Sequence, residues 1–284
     1  MEKDLENQGA LRALLGLDGA ADMNIKKTPQ SLKPMPLPKR FYETVSVREL
    51  PHDEEPGMTH FAILLDGKSV KTPARNVLAL PNRALAELIS DEFRIQQKVI
   101  NPALMPVTRL ANTVLDGIAA DMQPVIEDIL RYISCDMVFY RAGSPAALVK
   151  RQTEGWDKAL DWAMEKMGAE FTATEGVIFI TQKPEALAAA SSYLRRWLEP
   201  KTEVTPFAVA ALHLMTSLSG SALLALMAAA GDLEVKEAWR LANLDEDWTA
   251  EQWGRDEEAM KKRAAHERDF YAAAAVLEAV KKPA

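Results

Sequence analysis

The sequence predicts an α+β fold, with a small antiparallel β-rich N-terminal domain followed by a larger α-helical one. Three observations predict it. Apolar residues alternate after Phe41, an Asp66-Gly67 pair separates two apolar or β-branched runs, and beyond Pro81 the apolar spacing changes from two to three or four. The expected organisation is a leader over 1–39, a β-rich domain with its following helix over 40–120, and a helical domain over 121–284.

The leader carries acids from its first residues and lacks the apolar stretch of a secretory signal, and those acids also fit an organelle transit peptide badly. Within it "LRALLGL" suits a short helix, while "KKTPQSLKPMPLPKR" favours an extended linker. In "FYETVSVREL" the alternation runs through Tyr42, Val45 and Val47, which predicts a strand. "FAILLDGKSVKT" predicts a hairpin closed by a type I′ turn at Asp66-Gly67, and "NVLALP" a further short strand. "NRALAELISDEFRIQQ" then spaces Leu85, Leu88, Ile89 and Phe93 for a helix, with Asn82 as its N-cap.

Helices follow closely. "RLANTVLDGI", "QPVIEDILRYIS" and "SPAALVKRQTEGWDKALDWAMEKMG" are periodic, the last with Ser144 as cap and Pro145 at its first position. "EGVIFIT" predicts a lone strand, "PEALAAASSYLRRWLE" a helix, and Thr205-Pro206 open another. The most apolar run, "FAVAALHLMTSLSGSALLALMAAAG", is interrupted by His213 and by the Ser/Gly cluster at 217–221. That interruption predicts a helical hairpin within a globular domain rather than a membrane span.

Composition excludes several functions. With 284 residues, 48% of them hydrophobic, the chain can bury a core as one or two domains. A net charge of −7 argues against nucleic acid, whose recognition needs clustered Lys and Arg. The single cysteine, Cys135, permits no intrachain disulfide, so it reads as a packing residue in a reducing, cytoplasmic setting. No phosphate-cradling glycine pattern, nucleophile elbow or zinc-protease motif occurs. His52, His60, His213 and His266 are too scattered for a helical metal pair, so neither metal nor cofactor is expected. His213, on an apolar helix, reads as a satisfied core histidine and His266 as a solvated one.

The most unusual stretch is "LANLDEDWTAEQWGRDEEAM", residues 241–260, where seven carboxylates surround two tryptophans. If Val235 through Met260 formed one helix, Leu241, Leu244 and Trp248 would make a core stripe. A second stripe would hold Val235, Trp239, Ala242, Glu246, Ala250, Trp253 and Met260, with Asp247 and Glu251 on its flank and Asp245 nearer the first. Three readings of Glu246 compete on these grounds. It pairs with an arginine such as Arg240, it is an acid or base catalyst tuned by indoles, or it belongs to a Trp-and-acid surface that captures a protein. Catalysis ranks last, because Glu246 and Glu257 on one helix would stand about 16 Å apart, too far for a carboxylate pair.

Taken in order, "KRFYETVSV", "LLDGKSVKTP", "LPNRALAELISDEFRIQQ", "MPVTRLANT", "CDMVFYRA", "EGWDKALDWA" and "DEDWTAEQWGRDEEA" resemble the assembly chaperones for the α subunit of F1-ATP synthase, found in mitochondria and α-proteobacteria. The resemblance runs from about Lys39 to about Val280, with Phe93 where a Trp is usual and Lys158 where a Pro is common. It implies a non-enzymatic chaperone, monomeric when free, that binds the unassembled α subunit and releases it as the F1 hexamer forms. It also implies a cytoplasmic place in a bacterium and a matrix place for eukaryotic relatives. The family's important glutamate before "QWG" matches Glu246, or Asp245 if the alignment slips by one. The candidate partner-binding residues are Glu246, Asp245, Asp247, Trp239, Trp253 and Glu257. The alternatives are a carboxylate enzyme with a pocket beside this helix and a scaffold that does not release its partner. Arg109 in "MPVTRLANT" is either a contact residue or an ion-pair or capping residue.

Overall fold

The structure is a computed structural model that describes residues 37–51 and 59–281; the leader helix, most of the linker and His52 lie outside the described residues. Strands β1 (Val45–Pro51) and β2 (Thr59–Leu65) pair antiparallel from Val45 opposite Leu65 to Pro51 opposite Thr59. Asp66 and Gly67, at φ 47° and 77°, then turn the chain into β3 (Lys68–Ser69), as the type I′ reading requires. β4 (Ala79–Leu80) completes the antiparallel sheet from within "NVLALP", though its ladder is only two residues long. Phe61 through Leu65 are all buried, so the central strand is covered on both faces.

Helix α1 (Arg83–Arg94) lies on this sheet, started by Asn82, whose side chain accepts the Leu85 N–H at 2.9 Å. Phe93 supplies an aromatic edge against Tyr42 at 6.0 Å between ring centroids. The next helix, α2 (Pro106–Thr113), lacks a capping side chain at Met105. Glu92 replaces it from α1: its carboxylate accepts the N–H groups of Val107 and Thr108, both at 2.7 Å, and the Thr108 hydroxyl at 2.6 Å. Burial pushes the Glu92 carboxyl up even though these donors pull it down.

The helical part continues with α3 (Gln123–Ser134), α4 (Ala146–Trp162), α5 (Pro184–Trp197), α6 (Thr205–Ser219) and α7 (Ala222–Ala230). α6 and α7 form the expected apolar hairpin, broken where Gly220 takes φ 70° and Ser221 caps the second helix. No helix among the described residues is long and apolar enough to cross a membrane. His213 is 2% exposed and lies 2.7 Å from Asp128 of α3, the satisfied core histidine that its apolar setting suggests. Asp136, fully buried, uses its carboxylate to receive the N–H of Leu223 at the start of α7.

Two of the elements before the C-terminal helices differ from expectation. Ser144 does not cap α4; Pro145 sits in the extended cap position, and its carbonyl accepts the first helical N–H groups, from Leu148 and Val149. "EGVIFIT" is not a strand beyond its first residue. Only Thr174–Glu175 (β6) pair, in parallel with Tyr140–Arg141 (β5), and residues 177–180 pair with no strand among the described residues.

α8 (Val235–Ala242), α9 (Leu244–Trp253) and α10 (Glu257–Val280) close the chain. α10 is about 36 Å long at ~1.5 Å per residue and runs back along α6, α2 and α1. Asn82 Nδ2 donates to the Ala279 carbonyl at 3.0 Å near its end, and Arg109 pairs with Asp269 at 2.6 Å near its middle, which gives Arg109 the ion-pair role. A single core cluster runs from Tyr42 to Ala279 through both the sheet and the helices.

Candidate partner-binding face

The segment read as one helix from Val235 to Met260 is three. Asn243 ends α8: its Nδ2 donates to the Trp239 carbonyl at 2.7 Å, and its φ of −107° leaves the helical range. A side chain bonded to the backbone in this way competes with the helical ladder. Gly254, at φ 91°, ends α9, and Asp256 starts α10 by accepting the Ala259 N–H at 2.8 Å. "GRD" is thus a stop followed by a cap, a signal present in the sequence but outweighed there by the surrounding apolar periodicity.

The break separates the two tryptophans of the expected stripe. Trp239 is 4% exposed, with its ring centroid 5.1 Å from that of Phe270, so its indole packs in the core and offers nothing to a partner. Trp253, at the end of α9, is 87% exposed. Glu246 and Glu257 stand on different helices, so the separation expected along a single helix does not describe them; both are exposed.

The acids of α9 divide by partner. Asp245 accepts from Gln152 Nε2 at 2.7 Å, Glu251 pairs with Arg151 at 2.8 Å, and Asp247 pairs with Arg263 of α10 at 2.5 Å. The hydrogen bond that Arg263 donates to Asp247 pushes its guanidinium up. Arg151 also lies over the Trp248 ring, 4.8 Å from its centroid. These contacts attach α9 to α4 and α10. Glu246 has no hydrogen-bond or ion-pair partner among the described residues; Arg240, its expected partner, instead binds Glu237 through two 2.7 Å hydrogen bonds. His266 is half-buried rather than solvated, and burial, with Lys262 nearby, holds its imidazole below the ordinary range against the pull of Asp269 and Glu246.

Arg151 and Gln152 are the residues the sequence reading did not single out. They lie about a hundred residues from the acids they hold, and no local spacing reveals such a pair. Beneath them, Gly155 lets α4 approach α8: a Cβ there would come 2.7 Å from Leu241, and the neighbouring Trp156 donates to the Leu241 carbonyl at 2.8 Å. No group of three His, Cys, Asp or Glu suited to a metal occurs among the described residues. A cleft of about 360 Å³ lies between α3 and α5, lined by Glu127, Leu130, Arg131, Ile133, Leu187 and their neighbours, and Glu246 is not in its lining.

A family model described as ATP12 chaperone protein matches residues 39–164. The mitochondrial protein atp12 of Schizosaccharomyces pombe is 22% identical over 206 residues, 69% of each chain. Among solved structures, the Atu1473 protein of Agrobacterium tumefaciens is 46% identical with a TM-score of 0.77, covering 98% of this chain and 99% of that one. Atp12 from Paracoccus denitrificans is 34% identical with a TM-score of 0.71, covering 86% of this chain and 98% of that one. The acidic α9 face lies beyond the residues matched by the family model, whereas the fold as a whole is shared with both bacterial structures. The chain belongs to the ATP12 chaperone family.

Proposed function

We propose that this protein is an assembly chaperone that holds the unassembled α subunit of F1-ATP synthase on the α9 face and gives it up when the β subunit takes its place. The free chaperone is a monomer of the bacterial cytoplasm and performs no catalysis. The observation that carries the reading is the division of acids on α9. Asp245, Asp247 and Glu251 are engaged within the molecule, while Glu246 stands exposed and without a hydrogen-bond or ion-pair partner among the described residues, on the helix that ends at the bare indole of Trp253. Family membership supplies the chaperone role. An unassembled subunit with an apolar interface and a basic edge is matched by an indole set among carboxylates.

Glu246 and Trp253 are the contact residues, Glu257 adds charge from the start of α10, and Asp245 and Asp247 hold the surface in place. The test is co-expression of the α subunit with wild-type chaperone and with Glu246→Lys, scoring soluble and co-purified α subunit. Retention is expected with wild type and loss with the variant, at an unchanged melting temperature. Wild type that leaves the α subunit insoluble and unbound refutes the reading. The complex should also weaken as salt rises from 50 to 300 mM, since exposed charges are screened over about 10 Å at 0.1 M.

A further inference from the structure

Beyond β6 the chain carries three consecutive large apolar side chains in solvent: Val177 is 96% exposed, Ile178 77% and Phe179 68%. Scattered surface apolar residues are ordinary, but three in succession on a loop led by Gly176 at φ 83° form a tip of roughly 400 Å², the size of patch that marks an interaction site. The same residues are strongly β-prone and predict a strand, yet they have no strand partner among the described residues. Disagreement of this kind between local preference and structure concentrates at functional sites.

The tip is linked by hydrogen bonds to the α9 face. Gly176 N–H donates to the Arg141 carbonyl at 2.8 Å, and the next residue, Ala142, donates to Gln152 Oε1 at 2.7 Å. Gln152 Nε2 in turn donates to Asp245, the residue beside Glu246, at 2.7 Å. Arg141 braces this path by donating to the carbonyls of Val138 at 2.6 Å and Gln152 at 3.0 Å. Arg141 and Ala142, on which the base of the tip rests, and Asp245 at the base of the acidic helix are therefore joined through one glutamine.

We propose that Val177, Ile178 and Phe179 form the apolar arm of a two-part client surface whose charged arm is Glu246, and that this tip packs on exposed apolar surface of the unassembled α subunit. The inference rests on the chaperone reading given above. A second copy of this chain is the weaker occupant, because the tip offers about half of the ~800 Å² per partner that a stable dimer buries. That small area suits a hold that must later be released.

The test is a triple variant, Val177→Ser with Ile178→Ser and Phe179→Ser, compared with Glu246→Lys for binding to purified α subunit at several salt concentrations. Exposed side chains leave little to lose on folding, so the melting temperature should stay at the wild-type value. Affinity should fall about tenfold or more with the salt dependence retained, as for loss of apolar anchors, whereas Glu246→Lys should flatten the salt dependence. In parallel, a photo-crosslinking residue at position 179 of an otherwise wild-type chain should capture the α subunit, a readout that holds even if the triple variant folds poorly. Wild-type affinity in the triple variant together with no crosslink overturns the tip alone. A crosslink only between two chaperone chains overturns it in favour of self-association. Absence of any binding by wild type overturns the tip and the chaperone reading together.

Discussion

Trp239 and Trp253 sit on consecutive helices of similar length, and one is enclosed while the other is bare. On α8, Val235, Ala238, Trp239 and Ala242 recur at helical spacing, so one face turns to α7 and α10, and Ala238, Trp239 and Leu241 are buried. On α9 only Leu244 is buried, and the helix is held instead by polar contacts from Gln152, Arg151 and Arg263. The carboxylates show the same contrast. Asp136 and Glu92 work inside the molecule as helix caps, while Glu246 lies outside with no hydrogen-bond or ion-pair partner among the described residues. Residue type alone therefore does not separate architecture from contact surface in this chain; periodic apolar neighbours do.

The largest effect should come from Trp239→Ala. Removing a buried indole packed on Phe270 leaves a cavity and should cost about 3–5 kcal/mol in urea unfolding. Trp239→Phe should cost far less, since the indole N–H of Trp239 has no hydrogen-bond partner among the described residues and its loss strands no acceptor. Equal losses in both variants would mean that the indole nitrogen matters and the packing account is incomplete.

Asp136 gives the next largest effect, visible through pH. Burial pushes its carboxyl up to about 6, against the pull of the N–H groups of Leu223 and Val138. A folded-state value above the unfolded one means that the proton favours the folded chain. That contribution is complete below about pH 4 and is lost as pH rises through 6, amounting to roughly 3 kcal/mol at most. The advantage of wild type over Asp136→Asn should therefore be greatest near pH 4 and shrink by pH 7.5, as followed by denaturant melts at each pH. An advantage that grows with pH would mean that the carboxylate, not the acid, is the preferred buried form.

How far the sequence shows these features depends on their range. Asn82, the Asp66-Gly67 turn and the break at Gly220-Ser221 are local, so their residue types and spacing identify them directly. The Gly254 stop was legible too but conflicted with a persuasive apolar repeat. Glu92 capping α2 and Arg151 reaching Glu251 join elements distant in the chain, and no periodicity encodes them. "EGVIFIT" failed for a different reason: strand preference says nothing about whether an edge is available to pair with. At the candidate site, Glu246 and Trp253 stand out through the single-helix projection, and Glu246 also through the family resemblance, but that projection places Trp239 beside them, and its burial shows only once α8 ends at Asn243.

A smaller effect is expected for Arg151→Ala. It removes an ion pair to Glu251 and the stack on Trp248, both partly in solvent, so about 1 kcal/mol of stability is at stake. Hydrogen exchange should show faster opening of α9 amides with α6 and α7 unchanged. Uniform acceleration across the protein would mean that α9 is part of the core after all, which would erase the contrast with α8.

Trp253→Ala should scarcely change stability, by no more than about 0.5 kcal/mol, the usual range for surface substitutions. Its effect should appear in fluorescence, because an 87% exposed indole is open to a soluble quencher while Trp239 and Trp156 are enclosed. The wild-type signal should contain an acrylamide-quenchable, red-shifted component that Trp253→Ala removes, and bound α subunit should shield that component in the wild type. If the component survives the substitution, another tryptophan is the exposed one. If it vanishes on substitution yet stays fully quenchable in the complex, Trp253 is bare but lies outside the client contact, and Glu246 alone remains to mark the face.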